Sequence, residues 1–573
     1  MSQVSRTKII ERLGTLVAQT PTYWFAILFP ALLFAHNPHA ILHAEFWGED
    51  GIVWYSQARD MGLASLLEPN GGYLNSLQRL VAIAAQPFPL AWGPTLFALF
   101  ALCMQSAPAV FLMSKRMVTA WPDGLPRFMF ALLFILMPNA PETSLNVTNS
   151  QWYLAILMFL VLVSDTPKKR YLQIFDSLVL IVSGLSGPFG VLFFPVAAIR
   201  TLTSRLDERP NRIWRSMVLG AASSVQLLLI LGISHAGRKT GPLGASTALL
   251  LKILSLVPMG AELGYRTVSS LLHNSFFFEN IIPIIIVTLS FLIISFAFLR
   301  GPRILREFIF FSTAMFALAL FKPLISLSLP QWPLILNPPA GNRYFLYPMI
   351  AWWGSLFVMA SSEYRFARLS AVSLLTLTFF FAVPSDWGDL LKLSETDFVA
   401  RAHQLDASQP GTIIKLPEHP TGMEMVVTQR REPVINSQEV IDSDLNELIK
   451  KPVGQCVVDT VNGAPKSTQL TFAPDKVISL VGWTVTSAKV APKQAKIVLL
   501  NRSIHYAFKT SIGLFRPDVQ AALNSAGAYK SGYSSAISLK SVPSGSYTMY
   551  MLLSTKEADQ LCTLDLKLNV DSN

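Results

Sequence analysis

Residues 94–116 read PTLFALFALCMQSAPAVFLMSKR: an uncharged run from Pro94 to Met113, then Lys115 and Arg116. A helix of about 20 apolar residues rises ~30 Å, the thickness of a bilayer's hydrocarbon core, and a basic flank marks the cytoplasmic end of such a helix. Worked outward from this segment, the same grammar repeats. Arg6, Lys8 and Arg12 precede an apolar stretch from Tyr23 to about Leu42. Glu45 and a Trp-rich segment follow it in place of a small-residue cleavage site, so it reads as a signal anchor. Ala44 to Leu74 is then outside, and Asn75 to Leu90, broken by Pro87 and Pro89, reads as a helix at the outer interface.

Beyond Arg116 the expected order is Arg127–Met137 outward and Trp152–Val163 inward to Lys168, Lys169 and Arg170. A short hairpin, Phe175–Ile199, turns at Ser183 to Pro188 and returns to the basic stretch Arg200–Arg215. Met217–Ile233 goes outward, Ile281–Leu299 returns to Arg300, Arg303 and Arg306, Phe308–Phe321 goes outward, Phe345–Met359 returns to Arg365 and Arg368, and Leu369–Val383 exits. The expectation is a polytopic α-helical membrane domain over 1–384 with about eleven spans, a first outer loop at 44–92 and a cytoplasmic N-terminus. A linker subdomain with some helix follows at 385–452. Short β-branched or aromatic runs at Val477–Thr486, Ala495–Leu500, Ala536–Leu539, Tyr547–Leu553 and Leu561–Val570 predict a small extracytoplasmic β-sandwich over 453–573.

Composition agrees with this class. The 573 residues are 51% hydrophobic and only 14% charged, more apolar side chain than one soluble core needs. The net charge of +11 sits in short clusters between apolar runs, which is how insertion orientation is written and argues against nucleic-acid binding. Of the three cysteines, Cys103 lies in an apolar run; Cys456 and Cys562 lie in the polar tail and are candidates for a disulfide if that part meets an oxidising compartment.

Chemistry-bearing residues gather in the expected outer segments. The first reads Glu45-Phe46-Trp47-Gly48-Glu49-Asp50-Gly51, with Trp54, Tyr55 and, further on, Arg79. Adjacent carboxylates at Glu49 and Asp50 suit proton abstraction from a hydroxyl or coordination of a divalent cation such as Mg or Mn; the alternative is an acidic turn capping an interfacial helix. Trp54 and Tyr55 suit stacking on a sugar or a place in the headgroup belt. The second, Pro138 to Trp152, carries Asn146, Asn149 and Trp152, whose uncharged donors and acceptors match sugar hydroxyls as well as they match helix capping. The third, Asn337 to Phe345, places Arg343 and Tyr344 at a helix mouth, suited to a phosphate or to snorkelling. Arg79, His235, Lys239, Glu262 and Arg266 are expected on the same side. Ion-coupled transporters keep their charges near the midplane, whereas these spans are nearly free of charge.

The acidic pair in the first outer loop, the interfacial helix behind it, the short hairpin and the outer Arg-Tyr-Phe together resemble the GT-C class of integral-membrane glycosyltransferases, especially bacterial members that use polyprenyl-phosphate sugars. The likeness covers about the first two thirds of the chain. It implies an inverting hexosyltransferase of the bacterial inner membrane that moves a sugar from a polyprenyl-phosphate donor to a cell-envelope glycan or lipid acceptor on the periplasmic face. Asp50, or Glu49, would be the catalytic base or metal ligand, with Arg343, and less strongly Arg79, on the donor phosphate. No WWDxG-like signature is present, which argues against peptide asparagine as acceptor. In the tail, Gly482-Trp483-Thr484-Val485, Arg516-Pro517-Asp518-Val519 and Gly532-Tyr533 are similar to a β-sandwich module appended to bacterial membrane glycosyltransferase-like proteins. The competing readings are a lipid-glycan flippase, and a non-catalytic scaffold that binds an envelope glycan.

Overall fold

The computed structural model describes residues 13–204, 209–233, 240–273, 281–388, 390–391, 393–436, 438–441, 445–501, 505–555 and 558–571. Arg6, Lys8, Arg12, His235 and Lys239 lie outside them. The chain divides into a helical unit, 1–87 with 94–393, and a β-rich unit, 394–573 with 88–93.

The helical unit is built from α1 (Thr22–His36), α2 (Ser76–Ala85), α3 (Gly93–Leu112), α4 (Gly124–Ile135), α5 (Ser150–Val163), α6 (Arg170–Gly184), α7 (Phe189–Leu202), α8 (Arg209–Ile233), α9 (Thr247–Leu272), α10 (Ile282–Arg300), α11 (Arg303–Phe321), α12 (Leu346–Ala360) and α13 (Arg365–Leu377). Among the described residues six helices are long and apolar enough to cross a membrane, or seven if the bent pair Leu13–Gln19 and Thr22–His36 is one span. Eleven is not reached because α4, α5, α6, α7 and α12 have only 12, 14, 15, 14 and 15 residues, and so rise ~18–23 Å. Of these shorter helices α5 is interior, every residue except Gln151 being buried, whereas α6 and α7 keep exposed apolar residues such as Tyr171, Leu178 and Leu202. An apolar outer face also runs along α10, α11 and the continuous helix Arg365–Ser385 that begins with α13, where Phe291, Leu292, Phe310, Phe366 and Phe380 stand exposed, as helices in contact with lipid require.

Two kinds of chemistry separate to the two ends of this bundle. At the basic end the Asp176 carboxylate accepts from Arg116 Nη1 and Nη2 at 2.8 Å each and from Arg215 Nη2 at 2.7 Å. Arg215 also donates to the carbonyls of Ser164 and Asp165, and Glu307 takes Arg200 and Arg303. At the other end, the loop end, backbone and side-chain bonds tie the interhelical loops to one another. The hairpin turn between α6 and α7 bonds the start of α2, with Gly187 N to Leu74 O, Ser76 N to Leu185 O and Leu77 N to Ser186 Oγ. The two hairpin helices meet at backbone distance: a Cβ on Gly190 would lie 2.8 Å from Gly184 Cα.

The segment between α8 and α10 was expected as an outer loop, and the structure places the 26-residue α9 there. Lys252, Glu262 and Arg266 interrupt its apolar pattern in the sequence, yet it stays apolar enough to be legible from hydropathy. Its approach segment is tied down by Gly241 N donating to Ser326 O, and by Gln331 N and Trp332 N donating to Pro242 O and Leu243 O. It breaks at Gly264, where φ is 77°, and there Tyr265 N and Arg266 N donate to the Asp386 carboxylate at 2.6 and 3.2 Å. Asp386 and the 324–331 segment both connect to the loop end, through Asn139 and Tyr344. The run 247–264 therefore begins and finishes at one end of the bundle, despite its length and composition.

In the β-rich unit a helix, Phe398–Asp406, and a hairpin of β1 (Ile413–Glu418) and β2 (Met423–Thr428) precede the main sheet. Its strands are β3 (Gln438–Ile441), β4 (Gln455–Val461), β5 (Ala464–Pro465), β6 (Gln469–Phe472), β7 (Val477–Val485), β8 (Gln494–Leu500), β9 (His505–Leu514), β10 (Gly532–Ser538), β11 (Gly545–Ser554) and β12 (Gln560–Val570). They run in the order 5-4-7-10-9-8-11-12-6, with β3 beside β9 and only β6 parallel to its neighbour. The sheet curls: β9 pairs β8 over 505–510 and β10 over 511–514, switching partners along its length. Alternation drives the curl closed, with Leu564, Leu566, Leu568 and Val570 of β12 facing the same core as Ile478, Leu480 and Tyr533. Cys456 on β4 and Cys562 on β12, strands not adjacent in the sheet order, are joined by a disulfide with Cα atoms 5.9 Å apart. The stretch expected as a linker, 385–452, clusters with this sheet from Ser394 onward.

Candidate active site

Three loops carrying the expected site residues meet at the loop end. Gly48, at φ 62°, turns the first loop so that Asp50 N reaches Trp47 O, and a wide helical turn, Asp50–Tyr55, follows. Asp50 is 2% exposed and faces the second loop: its Oδ1 accepts from Thr148 N at 2.7 Å and Thr148 Oγ1 at 2.8 Å, and its Oδ2 from Val147 N at 3.4 Å. Burial, only partly offset by Thr148 and Val147, pushes the Asp50 carboxyl up to about 7, with Glu49 adding to the rise.

The second loop is rigid by its own amides. Asn146 Oδ1 accepts from Asn149 N and Nδ2, both amide side chains donate to Glu142 O, and Ser150 Oγ donates to Asn146 O. Gln105 receives Leu145 N, and Asn139 joins Asp386 and Asn342. Asn146 and Asn149 thus spend their polar atoms on loop structure, and so does Trp54, whose Nε1 donates to Thr148 Oγ1 at 3.0 Å. Tyr55 is buried against Phe46 and Phe97, and Trp152 against Phe189 and Tyr347. Tyr344 is buried too, its hydroxyl accepting from Leu324 N and Arg343 Nη2. The side chains proposed to stack on or bond a sugar form the walls of the site, and none of the five is exposed enough to lay a face against one.

Glu142, which the sequence did not single out, carries the third loop. Its carboxylate takes Arg343 N at 2.8 Å and pairs with Arg343 Nη1. Burial works against the Arg343 charge, but Glu142, with Tyr344 and Glu49 behind it, raises its pKa above the ordinary value. The guanidinium also donates through Nη2 to Leu324 O and the Tyr344 hydroxyl. Of its five N–H groups this leaves Nε–H and one on Nη1, on a side chain that is 20% exposed. Glu49 is half-buried and close enough to both Asp50 and Arg343 to act on their charges.

Arg79, the other expected phosphate ligand, is fully buried on α2, with its guanidinium 5.3 Å from the Trp54 ring centre and all three nitrogens without a hydrogen-bond partner. It therefore backs the site through Trp54. Arg266 lies at the loop end on Ser385 O, whereas Glu262 is deeper, accepting from Trp352 Nε1 and Thr378 Oγ1. A divalent cation does not fit the acidic pair: the Asp50 oxygens already accept from protein donors, and among the described residues no three His, Cys, Asp or Glu side chains cluster as metal ligands.

A cavity of about 70 Å3 opens beside the first two loops, lined by Glu45, Trp47 and Asn146 together with His36 and Asn37. His36 Nε2 and Asn37 Oδ1 are buried there without a partner. Glu142, Thr148 and Asp386 are the organising residues that sequence reasoning missed; the only signal for each was a lone polar group in an otherwise apolar or amide-rich helix connection. The chain matches no family model, no curated protein and no solved structure, so the site is read from its own geometry.

Proposed function

We propose that this chain is a membrane glycosyltransferase that moves a sugar from a polyprenyl-phosphate donor to a cell-envelope glycan or lipid acceptor at the loop end of its helical unit. One observation carries the reading: Arg343, with two N–H groups left over, lies within electrostatic reach of Glu49, a half-buried carboxylate on the Asp50 turn. A phosphate oxygen suits the first, and an acceptor hydroxyl the second.

In this mechanism Glu49 takes the proton of the acceptor hydroxyl, whose oxygen attacks the anomeric carbon from the face opposite the donor phosphate. The bond from that carbon to the phosphate oxygen breaks, and lipid phosphate leaves with the electron pair. Arg343 meets the charge that grows on the leaving oxygen, where a preset cation contributes most. Asp50 is the positioning residue, pinning the turn to Thr148.

Purified protein in vesicles holding a polyprenyl-phosphate hexose should release polyprenyl phosphate, and Glu49→Gln should lower kcat by ~100-fold or more with KM little changed. Full turnover by Glu49→Gln sinks the assignment of the base. In cells, deletion should remove one sugar from an envelope glycan while the lipid donor accumulates. Build-up of an intact lipid-linked glycan would point to a flippase, and an unaltered glycan profile to a scaffold.

A further inference from the structure

A cavity of about 560 Å3 lies at the basic end of the helical unit, away from the loops described above. Its walls come from α3, α4, α5, α10, α11 and α12, and its interior is hydrocarbon and aromatic: Phe130, Phe134, Phe159, Phe308, Ile350 and Phe357 face it. Polar side chains stand only at its mouth, where Asp123, Arg300, Ser362, Glu363 and Tyr364 gather at the ends of α4, α10 and α12. From Asp123 to Phe134 on α4, and from Ser361 back to Ile350 on α12, the slot runs eleven residues, or ~16 Å, which is about half the hydrocarbon thickness of a bilayer.

Protein interiors keep few voids larger than a water molecule, and a water inside one needs two to four polar partners. Walls of phenylalanine and isoleucine supply none, so the space suits a hydrocarbon chain entering from the mouth. The mouth selects the headgroup. Among the described residues Arg300 forms no ion pair, and neither Asp123 nor Glu363 does, although all three border one opening. An open guanidinium fork takes a phosphate, and two open carboxylates take an ammonium. We propose that this cavity holds one chain of a zwitterionic membrane phospholipid of the phosphatidylethanolamine type, with the phosphate on Arg300 and the ammonium beside Asp123 and Glu363. The site does not depend on the transferase reading, and it lies at the opposite end of the bundle from Arg343.

The test uses full-length protein in lipid nanodiscs containing phosphatidylethanolamine with a diazirine at the end of one acyl chain. Irradiation should label peptides within Gly124–Ile135 and Leu346–Ala360. Val358→Trp, which fills the slot at half-buried Val358, should abolish that labelling, and Arg300→Glu should reduce it about tenfold, equivalent to ~1.4 kcal/mol of binding. Labelling confined to outward-facing Phe291, Leu292 and Phe298 overturns the proposal, as does equal labelling of the slot by a phosphatidylglycerol probe. Should Val358→Trp fail to fold, the positions labelled in the unaltered protein still decide the matter.

Discussion

Asp50 carries an electrostatic load that can be read without knowing the substrate. Its carboxyl is held at about 7 in the fold by burial, against ~3.9 in an unfolded chain. A raised acid stabilises the fold most fully below the unfolded value, and that contribution is lost as pH climbs through about 7. Unfolding followed from pH 4 to pH 8 should therefore show a decline on the order of 4 kcal/mol that Asp50→Asn lacks. Identical pH profiles for the two proteins would rule this out. At this scale the sequence was legible as to place and misleading as to role. Glu49, Asp50 and Arg343 do meet at one end of the bundle, but Asn146, Asn149 and Trp54 are turned onto the protein itself. Residue type cannot distinguish an amide that binds sugar from one that ties a loop, because both offer the same donors and acceptors; only the neighbour 97 or 98 residues away in sequence decides it, as Val147 and Thr148 do for Asp50.

At the scale of elements, apolar length and flanking charge located the long apolar helices other than α9 and the short α2, and Gly184 to Pro188 marked the hairpin turn. Strand alternation located β7, β8, β11 and β12. It passed over β4 and β9, whose polar Asp459, Thr460, Lys509 and Thr510 break the apolar rhythm; Asp459 falls at a bulge in β4, while the other three still pair with neighbouring strands. The kink in α9 is constrained by both space and backbone. A Cβ on Gly264 would sit 2.6 Å from Ser385 Oγ and 2.9 Å from Asp386 Cγ, and its φ of 77° disfavours any other residue. Gly264→Ala is expected to lower stability by about 1–3 kcal/mol, measured by thermal unfolding in detergent, because it loosens the Asp386 carboxylate from three backbone N–H groups at once. An unchanged midpoint would mean that the kink relaxes freely.

For the whole molecule, hydrophobic periodicity separated a helical unit from a β-rich one, yet the boundary at Ser394 and the inclusion of 394–452 with the sheet depend on pairings such as Gln438–Ile441 with β9, which no local pattern announces. The disulfide joins cysteines 106 residues apart. Cys562→Ser should cost the β-rich unit ~2–5 kcal/mol, seen as an earlier denaturant transition in the full chain under oxidising conditions and no difference once the parent protein is reduced.

The helix that sets out from the 241–246 segment and is caught again by Asp386 has a consequence for anyone mapping this chain with chemical probes. A topology count that credits it with a crossing inverts every later connection. With Cys103 replaced, single cysteines at Ser246 and Ser328 should be modified together by a membrane-impermeant maleimide added to sealed cells or spheroplasts, or be spared together. Opposite reactivity at the two positions would show that the segment passes through the lipid after all.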